Sequence, residues 1–391
     1  MLYQVATAGL DGDDICFPVR GIFASQRNVR VRMGTVVEVD VDQRTVELRD
    51  GSRLPYDDLV LAAGAVTNTY GIEGVEEHAF GLKSLADAQA LRSHVLLCFE
   101  RADAAAEHRM DGTMTMVVVG GGPTGVEMAG GLMELVSHVL GRDHPGLDMR
   151  TARVVLVEAG DRLLPGLHEE LSNKARRILS EMGVEVMLGQ AVQSASADAV
   201  VVQEPDGTTL RIPTRTIVWT AGVTANPLAR SLGVELAAGS RIVVGPDLAV
   251  PGHPELHVIG DMAATRDREG NLLPQVAPVA VQGGRYVAAR ITGKLLSAGP
   301  SAPEGGPRSD GEPFSYVDRG SMATIGRRAA VAQLPGRIHL TGALGWFAWL
   351  LLHLVMLLGF RNRANVLVNW AWNYLTYDRA SRVITEPPPH T

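Results

Sequence analysis

Three glycines near residue 120 have the spacing of a phosphate-binding turn. Gly120, Gly122 and Gly125 form the pattern Gly-x-Gly-x-x-Gly. In such a turn the first glycine makes the tight bend, the second lets a pyrophosphate approach the backbone, and the third lets a helix pack closely on a strand. The following helix would direct free N–H groups and a partial positive charge at the phosphates. The spacing predicts a dinucleotide site; the alternative is a glycine-rich turn that binds nothing.

The acidic residue that would complete this site is Glu158. It ends the apolar stretch Arg153–Glu158, where a carboxylate can accept hydrogen bonds from a ribose 2′-hydroxyl and would repel a 2′-phosphate. This favours NADH over NADPH. The separation of Gly125 from Glu158 exceeds the usual spacing of about 20 residues, which a longer helix and a loop over residues 142–150 would explain.

Strand and helix patterns place these residues. Residues 113–119 are apolar and β-branched, as expected of a buried parallel strand. From 123 to 140 apolar residues recur at helical spacing, and Gly141 is placed to end the helix. With the apolar run 153–158 as the second strand, the segment is predicted to form a β-α-β unit on a parallel sheet.

The same design occurs on both sides of that unit. Two further apolar strands, 58–63 and 215–221, run into Gly64 and Gly222, and residues 40–48 alternate as one more strand. The fold class is therefore α/β with more than one sheet.

Composition narrows the function classes. The chain has 391 residues, of which 46% are hydrophobic and 20% charged, so we expect two or three globular domains. The net charge of −7 argues against a nucleic-acid partner, because phosphate recognition needs clustered Lys and Arg. Two cysteines exclude a disulfide scaffold and leave too few sulfurs for a zinc or iron–sulfur cluster, so no metal is expected.

Four stretches carry a family resemblance: 117–127 (VVVGGGPTGVE), 155–165 (VLVEAGDRLLP), 219–223 (WTAGV) and 258–262 (VIGDM). Together they resemble type II NADH dehydrogenases, non-pumping NADH:quinone oxidoreductases of the FAD/NAD(P)-dependent pyridine nucleotide-disulfide oxidoreductase superfamily. The resemblance implies two Rossmann-like dinucleotide-binding domains, the FAD domain interrupted by the NADH domain, followed by a C-terminal helical membrane-anchoring region. The expected segments are FAD 1–112, NADH 113–240, FAD 241–296, a linker 297–313 and a membrane-association region 314–391.

The resemblance also assigns cofactor residues. It implies that Gly222 lies at NADH, and that Gly64, Gly260 and Asp261 lie at FAD, with Asp261 on the ribityl chain. Asp261 could equally cap the next helix, and both roles are compatible.

Two residues are carried over for the quinone half-reaction. The resemblance implies that Glu127 lies near the flavin and quinone and helps to deliver protons; the alternative is a carboxylate stabilised by the helix dipole. Some members have two glutamines four residues apart, but here the first position is Pro278, so only Gln282 is carried over.

The sequence departs from its relatives in two respects. Cys16 and Cys98 are far apart and match no thiol motif, which argues against disulfide reduction and sulfide oxidation. Residues 1–112 contain no Gly-x-Gly-x-x-Gly for the FAD pyrophosphate. The resemblance therefore implies that a β-α-β unit with its connection, about 50 residues, is truncated before residue 1, and that a chain without it binds little flavin.

The C-terminal region has the composition of a membrane interface. Residues 338–360 contain no Asp, Glu, Lys or Arg, and two helices are predicted over 344–358 and 364–375. Tryptophan and arginine mark an interface, which makes these the candidate membrane residues: Trp346, Trp349, Arg361, Arg363, Trp370 and Trp372. The family resemblance implies a monotopic anchor; a buried core helix or a homodimer face is the alternative.

These inferences predict an FAD-dependent enzyme that passes hydride from NADH to flavin and two electrons to a membrane quinone. The predicted location is the cytoplasmic face of the cell membrane, as a peripheral protein on the bilayer surface. A flavin-poor NADH-binding remnant and a soluble NADH-dependent reductase of a small electron carrier are the other functions that the sequence leaves open.

Overall fold

The computed structural model describes residues 1–105, 111–297, 312–376, 379 and 381–385. Most of the predicted linker, 298–311, lies outside these residues. The helices are α1 (Leu2–Ala6), α2 (Gly12–Ile15), α3 (Val19–Ile22), α4 (Val75–His78), α5 (Leu85–Ala104), α6 (Pro123–Leu135), α7 (Gly141–Asp143), α8 (Glu169–Met182), α9 (Ala277–Ser297), α10 (Gly342–Met356) and α11 (Phe360–Thr376).

The first strands are β1 (Val36–Asp40), β2 (Thr45–Leu48), β3 (Arg53–Pro55), β4 (Leu59–Leu61), β5 (Ala65–Thr67), β6 (Ala79–Phe80), β7 (Thr115–Val119), β8 (Arg153–Glu158), β9 (Glu185–Leu188), β10 (Ala191–Ala195) and β11 (Ala199–Gln203). The remaining strands are β12 (Thr209–Pro213), β13 (Thr216–Trp219), β14 (Val223–Ala225), β15 (Leu236–Ala237), β16 (Arg241–Val243), β17 (Ala249–Val250), β18 (His253–Val258), β19 (Ala263–Ala264), β20 (Ser321–Thr324), β21 (Ala330–Leu334) and β22 (Ile338–Thr341).

The chain divides into two compact units. Unit 1 comprises Met1–Arg27, Thr67–Gly222 and Gly320–Thr391, and unit 2 comprises Asn28–Val66 and Val223–Arg319. Residues 67–105, expected within the FAD segment 1–112, lie in unit 1, because β6 pairs with β13 and α5 contributes to the unit 1 core. Residues 223–240, expected within the NADH segment, lie in unit 2. Of the region 314–391, expected to associate with the membrane, the part from Gly320 onward belongs to unit 1.

Unit 1 is built on a parallel sheet in the order β6-β13-β7-β8-β9. All five residues of β7 are buried, as a strand covered on both faces requires. The capping box of Ser84 and Asp87 starts α5. Gly183, with φ of +98°, ends α8. The β-α-β unit predicted around Gly120 is therefore present, and β8 has the predicted bounds.

The helix after the glycine turn is longer than expected. α6 continues through a π-helical turn, Val136–Leu140, directly into α7, and helical structure ends at Asp143. Gly141 has φ of −65° and lies within the helical region, so it does not end the helix. A glycine stops a helix by adopting positive φ, which Gly141 does not do.

Unit 2 contains short sheets. β1-β2-β3 is antiparallel, and in the sheet β17-β18-β4 the strands β18 and β4 are parallel. The alternating segment 40–48, predicted as one strand, is the turn and second strand of the β1-β2 hairpin; Asp40 Oδ1 accepts from Gln43 N at 2.8 Å and stabilises the turn.

The C-terminal part of unit 1 consists of the antiparallel sheet β20-β21-β22 followed by α10 and α11. Within the described ranges, no helix combines the length and the apolar character needed to cross a bilayer.

Candidate functional site

Each glycine of the turn between β7 and α6 has a distinct steric role. Gly120 has φ of +108°, and a Cβ there would lie 2.7 Å from Ala221 Cα. A Cβ on Gly125 would collide with the Gly120 carbonyl oxygen, so the helix can approach the strand only because this residue is glycine. A Cβ on Gly122 would meet nothing within 4 Å, which leaves open space at the N-terminus of α6.

Glu158 lies beside this turn at the end of β8. Its Oε2 accepts from Gly121 N and its Oε1 accepts from Gly160 N at 2.6 Å. The two bonds fix the carboxylate at the edge of the glycine turn while the side chain remains partly exposed. This arrangement can accept a ribose hydroxyl and repel a phosphate at the same position.

The loop after β13 closes the other side of the turn. The backbone of Gly222 packs directly against the Tyr70 phenol. A Cβ on Gly222 would collide with Tyr70 Oη. The phenol donates to Ala221 O at 3.2 Å, and Trp219 Nε1 donates to Asn68 O at 2.8 Å. Tyr70 was not predicted as a site residue from the sequence, because its bond to Ala221 joins residues 151 positions apart.

The residues assigned to FAD lie in unit 2, where β4 and β18 run parallel. Gly64 follows β4 with φ of +70° and nothing within 4 Å of a Cβ, and Gly260 follows β18 with φ of +66°. Asp261 comes directly after Gly260, and its carbonyl oxygen accepts from Gln275 Nε2 at 2.8 Å. Glycines and an aspartate at the carboxyl ends of parallel strands fit the ribityl end of a flavin. Among the described residues of unit 2, no Gly-x-Gly-x-x-Gly turn joins a strand to a helix.

Glu127 lies in the first two turns of α6 and is held by two donors. Its Oε1 accepts from Trp349 Nε1 at 3.0 Å and from Thr324 N at 3.4 Å. Burial raises the pKa of the Glu127 carboxyl group above its usual range, while the Met1 ammonium and the two hydrogen bonds act in the opposite direction. Glu127 can therefore carry a proton at higher pH than an exposed glutamate.

Gln282, on α9 of unit 2, has a backbone partner for both side-chain groups. Its Nε2 donates to Val317 O at 2.9 Å, and its Oε1 accepts from Val317 N at 3.0 Å. The carboxamide thus fixes the backbone at Val317.

A buried ion pair lies in unit 1 and was not predicted. Arg379 is 5% exposed; its Nη2 donates to Glu134 Oε2 at 2.9 Å and its Nη1 donates to Thr7 O at 2.6 Å. Glu134 also accepts from Arg327 N. Nothing in the sequence around Arg379 indicates that it is buried. Glu134, in contrast, falls on the apolar face of the helix predicted over 123–140, and a carboxylate buried there needs a cationic partner.

The tryptophans assigned to the membrane have different environments. Trp349 is 1% exposed and bonded to Glu127, which corrects its assignment to the surface. Trp346 is half-buried against Phe347 and Tyr374, and Trp370 is half-buried and donates to Gln4 Oε1 at 3.3 Å. Trp372 is 56% exposed.

Of the two arginines assigned to the same surface, Arg361 is exposed. Arg363 donates to Leu357 O and Val355 O, both at 2.9 Å, so its guanidinium binds the carbonyl end of α10.

The exposed apolar side chains of α10, α11 and the short link between them form the C-terminal apolar surface. Its members are exposed to solvent, although they are large and hydrophobic: Leu344, Phe347, Leu351, Leu352, Val355, Met356, Leu358, Phe360, Leu367, Val368, Trp372 and Leu375. A monomer in water rarely exposes so many apolar side chains on two adjacent helices.

One group of possible metal ligands occurs among the described residues. His168, Glu170 and His339 place ligand atoms within 4.8 Å of one another. His168 Nδ1 already accepts from Glu170 N at 3.4 Å, and two of the three residues are exposed.

Comparison with known proteins identifies the family. Residues 3–284 match the pyridine nucleotide-disulphide oxidoreductase family, and residues 319–377 match the NDH2 C-terminal domain. The chain is 39% identical over 394 residues to the type II NADH:quinone oxidoreductase Ndh of Mycobacterium tuberculosis, covering 99% of this chain and 82% of the relative. It is 31% identical over 337 residues to that of Staphylococcus aureus, covering 86% and 79%.

Solved structures agree on the fold. NDH2 of Plasmodium falciparum, determined in complex with NADH, superposes with a TM-score of 0.84 at 17% identity, covering 98% of this chain and 92% of that one. The sulfide:quinone oxidoreductase of Aquifex aeolicus superposes with a TM-score of 0.67 at 17% identity, covering 93% and 82%. With both segments of the family matched and two relatives similar over 82% and 79% of their own length, this chain belongs to the type II NADH:quinone oxidoreductases.

Proposed function

We propose that this protein oxidises NADH and reduces a quinone at a membrane surface, with FAD as its cofactor. The balance is NADH + H⁺ + quinone → NAD⁺ + quinol. The observation that carries the proposal is the glycine turn of unit 1, where Gly122 leaves open space at the start of α6 and Glu158 is fixed beside it. The sequence similarity to enzymes named for this reaction supports the quinone as acceptor.

NADH binding follows from the geometry of the turn. The pyrophosphate would occupy the space at Gly122, where the dipole of α6 favours negative charge, although Pro123 at the first helical position offers no N–H. Glu158 accepts the adenosine ribose hydroxyls and excludes NADPH. Gly222, beside Tyr70, lies at the opposite end of the same edge of the sheet, on the nicotinamide side.

Gly64, Gly260 and Asp261 would hold FAD at its ribityl end. The chemistry that FAD supplies when bound is acceptance of a hydride and release of two electrons. This chain's residues contribute orientation: the two glycines have positive φ and admit close approach to the backbone, and the carboxylate of Asp261 offers oxygens to ribityl hydroxyls.

Glu127 is the group in the described residues best suited to supply a proton to the quinone oxygen. Burial raises its pKa, so the carboxyl group is partly protonated closer to neutral pH than an exposed glutamate. Gln282, which the family resemblance assigns to the quinone, has both of its side-chain groups bonded to the backbone of Val317, so its contribution would be to hold that segment in place.

The C-terminal apolar surface is the membrane contact. It would bury side chains of α10 and α11 in one leaflet, with Trp372 and Arg361 at the interface. Because NADH is the donor, the protein would lie on the cytoplasmic face of the membrane. A homodimer formed through the same surface is the competing arrangement.

The test is NADH oxidation by the full chain, followed by the loss of NADH absorbance with a short-chain quinone. Flavin absorbance is recorded on the same sample, and NADPH serves as the control donor. Because residues 1–112 contain no glycine turn for the FAD pyrophosphate, we expect little flavin on the chain as isolated, and quinone-dependent oxidation of NADH once FAD is added to the assay. NADH binding without flavin or turnover would indicate a remnant, and turnover with a small electron-carrier protein but no quinone would indicate a different acceptor.

A further inference from the structure

The carboxyl group of Glu127 is held from the C-terminal end of the chain. The indole N–H of Trp349, on α10, donates to Glu127 Oε1 at 3.0 Å, and Thr324 N at the end of β20 donates to the same oxygen at 3.4 Å. Trp349 and Glu127 are 222 positions apart in sequence. The bond therefore joins the dinucleotide-binding helix to the helix that carries the C-terminal apolar surface.

The Trp349 ring has little freedom to leave this position. It is stacked on His353 with ring centroids 3.8 Å apart, lies edge-on to Tyr3 at 6.2 Å, and contacts Trp370 at 6.0 Å. The helix itself is close to β21 here, because a Cβ on Gly345 would lie 2.9 Å from Ala330 O. A rotamer fixed on several sides orients its N–H at a low entropic cost.

α10 therefore has two faces with different partners. Leu344, Leu351 and Val355 are exposed on the outer face, whereas Gly345 and Trp349 are buried on the inner face. Movement of the outer face on a membrane would be transmitted to the position of the Trp349 N–H, since both belong to one rigid helix.

We propose that Trp349 is a positioning residue for Glu127: α10 orients the Glu127 carboxyl group through the indole N–H and sets the pH at which that group exchanges its proton. This deepens, and rests on, the proposed function, in which Glu127 supplies a proton to the quinone. A hydrogen bond donated to a carboxylate favours the ionised form, so Trp349 opposes the effect of burial and keeps Glu127 able to both release and take up a proton.

Among the residues that the structure describes, few other groups face Glu127. The Met1 ammonium precedes α1 and Tyr3 lies on α1, Thr324 from β20 contributes only its backbone, and no charged group on α10 acts on Glu127. Burial lowers the pKa of His353, stacked on Trp349, to about 4, so this imidazole is neutral at neutral pH. Glu134, about two turns further along α6, is paired with Arg379.

The first test needs no turnover. Indole N–H signals of the ¹⁵N-tryptophan-labelled full chain are followed by NMR against pH and assigned with single Trp→Phe variants. We expect the Trp349 signal to titrate in the native chain and to lose that titration in Glu127→Gln, whereas the Trp372 signal shows none. A pH-independent Trp349 signal, or one whose titration persists in Glu127→Gln, would overturn the proposal.

The second test is the pH profile of NADH:quinone activity. Trp349→Phe keeps the ring and removes the donor, so we expect the limb assigned to Glu127 to move up by about one pH unit, the size of one charged hydrogen bond. Trp372→Phe is the matched control: its rate can change through the membrane contact, but the pH of the same limb should not move. Superimposable pH–activity profiles for Trp349→Phe and the native enzyme would overturn the proposal. If all variants are inactive, the proposed function fails, and the indole titration still decides on the Trp349–Glu127 bond.

Discussion

At the residue scale, Gly122 and Gly125 differ in what a methyl group would meet. A Cβ at Gly125 collides with Gly120 O, whereas a Cβ at Gly122 meets no protein atom. Gly125→Ala should therefore lower the free energy of unfolding by about 1–3 kcal/mol, the usual cost of overpacking. Gly122→Ala should leave stability unchanged and raise the KM for NADH at least about tenfold, because the methyl group occupies the pyrophosphate space.

Thermal unfolding and steady-state kinetics of the two variants check this difference. If Gly122→Ala were as destabilising as Gly125→Ala, or had native KM, the open space at Gly122 would not be the pyrophosphate site.

Glu158 should decide between the two nicotinamide dinucleotides. Glu158→Gln keeps hydrogen-bonding capacity but removes the charge that repels a 2′-phosphate. We expect kcat/KM for NADH to fall by about ten- to a hundredfold, the equivalent of a hydrogen bond to a charged group, and the preference for NADH over NADPH to shrink.

The matched control for this variant is Glu185→Gln. Glu185 is also at the sheet edge, paired with Arg153 at 2.7 Å outside the glycine turn. Glu185→Gln should leave kcat/KM for NADH and for NADPH unchanged. If Glu158→Gln kept the native preference for NADH, the specificity would come from another part of the site.

The positions of candidate site residues could be predicted from sequence where they depend on local geometry. The glycine turn and the carboxylate at the end of β8 are adjacent in a β-α-β unit, so the pattern alone brings Glu158 to the turn. Trp349 was assigned to the membrane because tryptophan is common at interfaces. Its hydrogen bond to Glu127 depends on tertiary packing between distant segments, which no local pattern carries.

At the scale of elements, Arg379 connects the C-terminal tail to α6. Its guanidinium is buried and bonded to Glu134 and Thr7 O. Arg379→Ala should destabilise the protein by about 3–5 kcal/mol, because Glu134 would keep a buried charge with one partner fewer. Chemical denaturation of the full chain measures this.

The control is Arg382→Ala, which breaks the more exposed pair with Asp143 at 3.2 Å. Its cost should stay below about 1 kcal/mol. Equal costs for the two variants would mean that the Arg379 pair contributes no more than a surface pair.

Element bounds were predictable where periodicity was clear and less so at ends. The strand β8 matches its prediction, and the apolar spacing after Gly122 correctly indicated a helix. Gly141 was expected to end that helix, yet it adopts ordinary helical φ and the chain continues to Asp143. A glycine permits positive φ without requiring it, so the sequence could not fix this boundary.

At the scale of the whole molecule, the α/β class and the family followed from motifs, but the composition of the compact units did not. Residues 67–112 carry no dinucleotide motif and were grouped with the preceding segment. They belong to unit 1 because β6 extends the parallel sheet at β13 and α5 adds Leu91, Val95 and Phe99 to its core. Such pairings join segments more than 100 residues apart.

The exposure of the C-terminal apolar surface predicts that α10 binds lipid through its outer face. Leu351 is 65% exposed on this surface, and Leu295 on α9 has the same exposure outside it. Leu351→Asp should weaken binding to phosphatidylcholine–phosphatidylglycerol vesicles by about ten- to a hundredfold, since burying one leucine is worth about 1.5–3 kcal/mol. Leu295→Asp introduces the same charge and should leave vesicle co-sedimentation unchanged. Equal losses of vesicle binding in both variants would indicate a general effect of charge. If neither variant lost vesicle binding and Leu351→Asp dissociated a dimer in solution, the surface would instead bind a second copy of the chain.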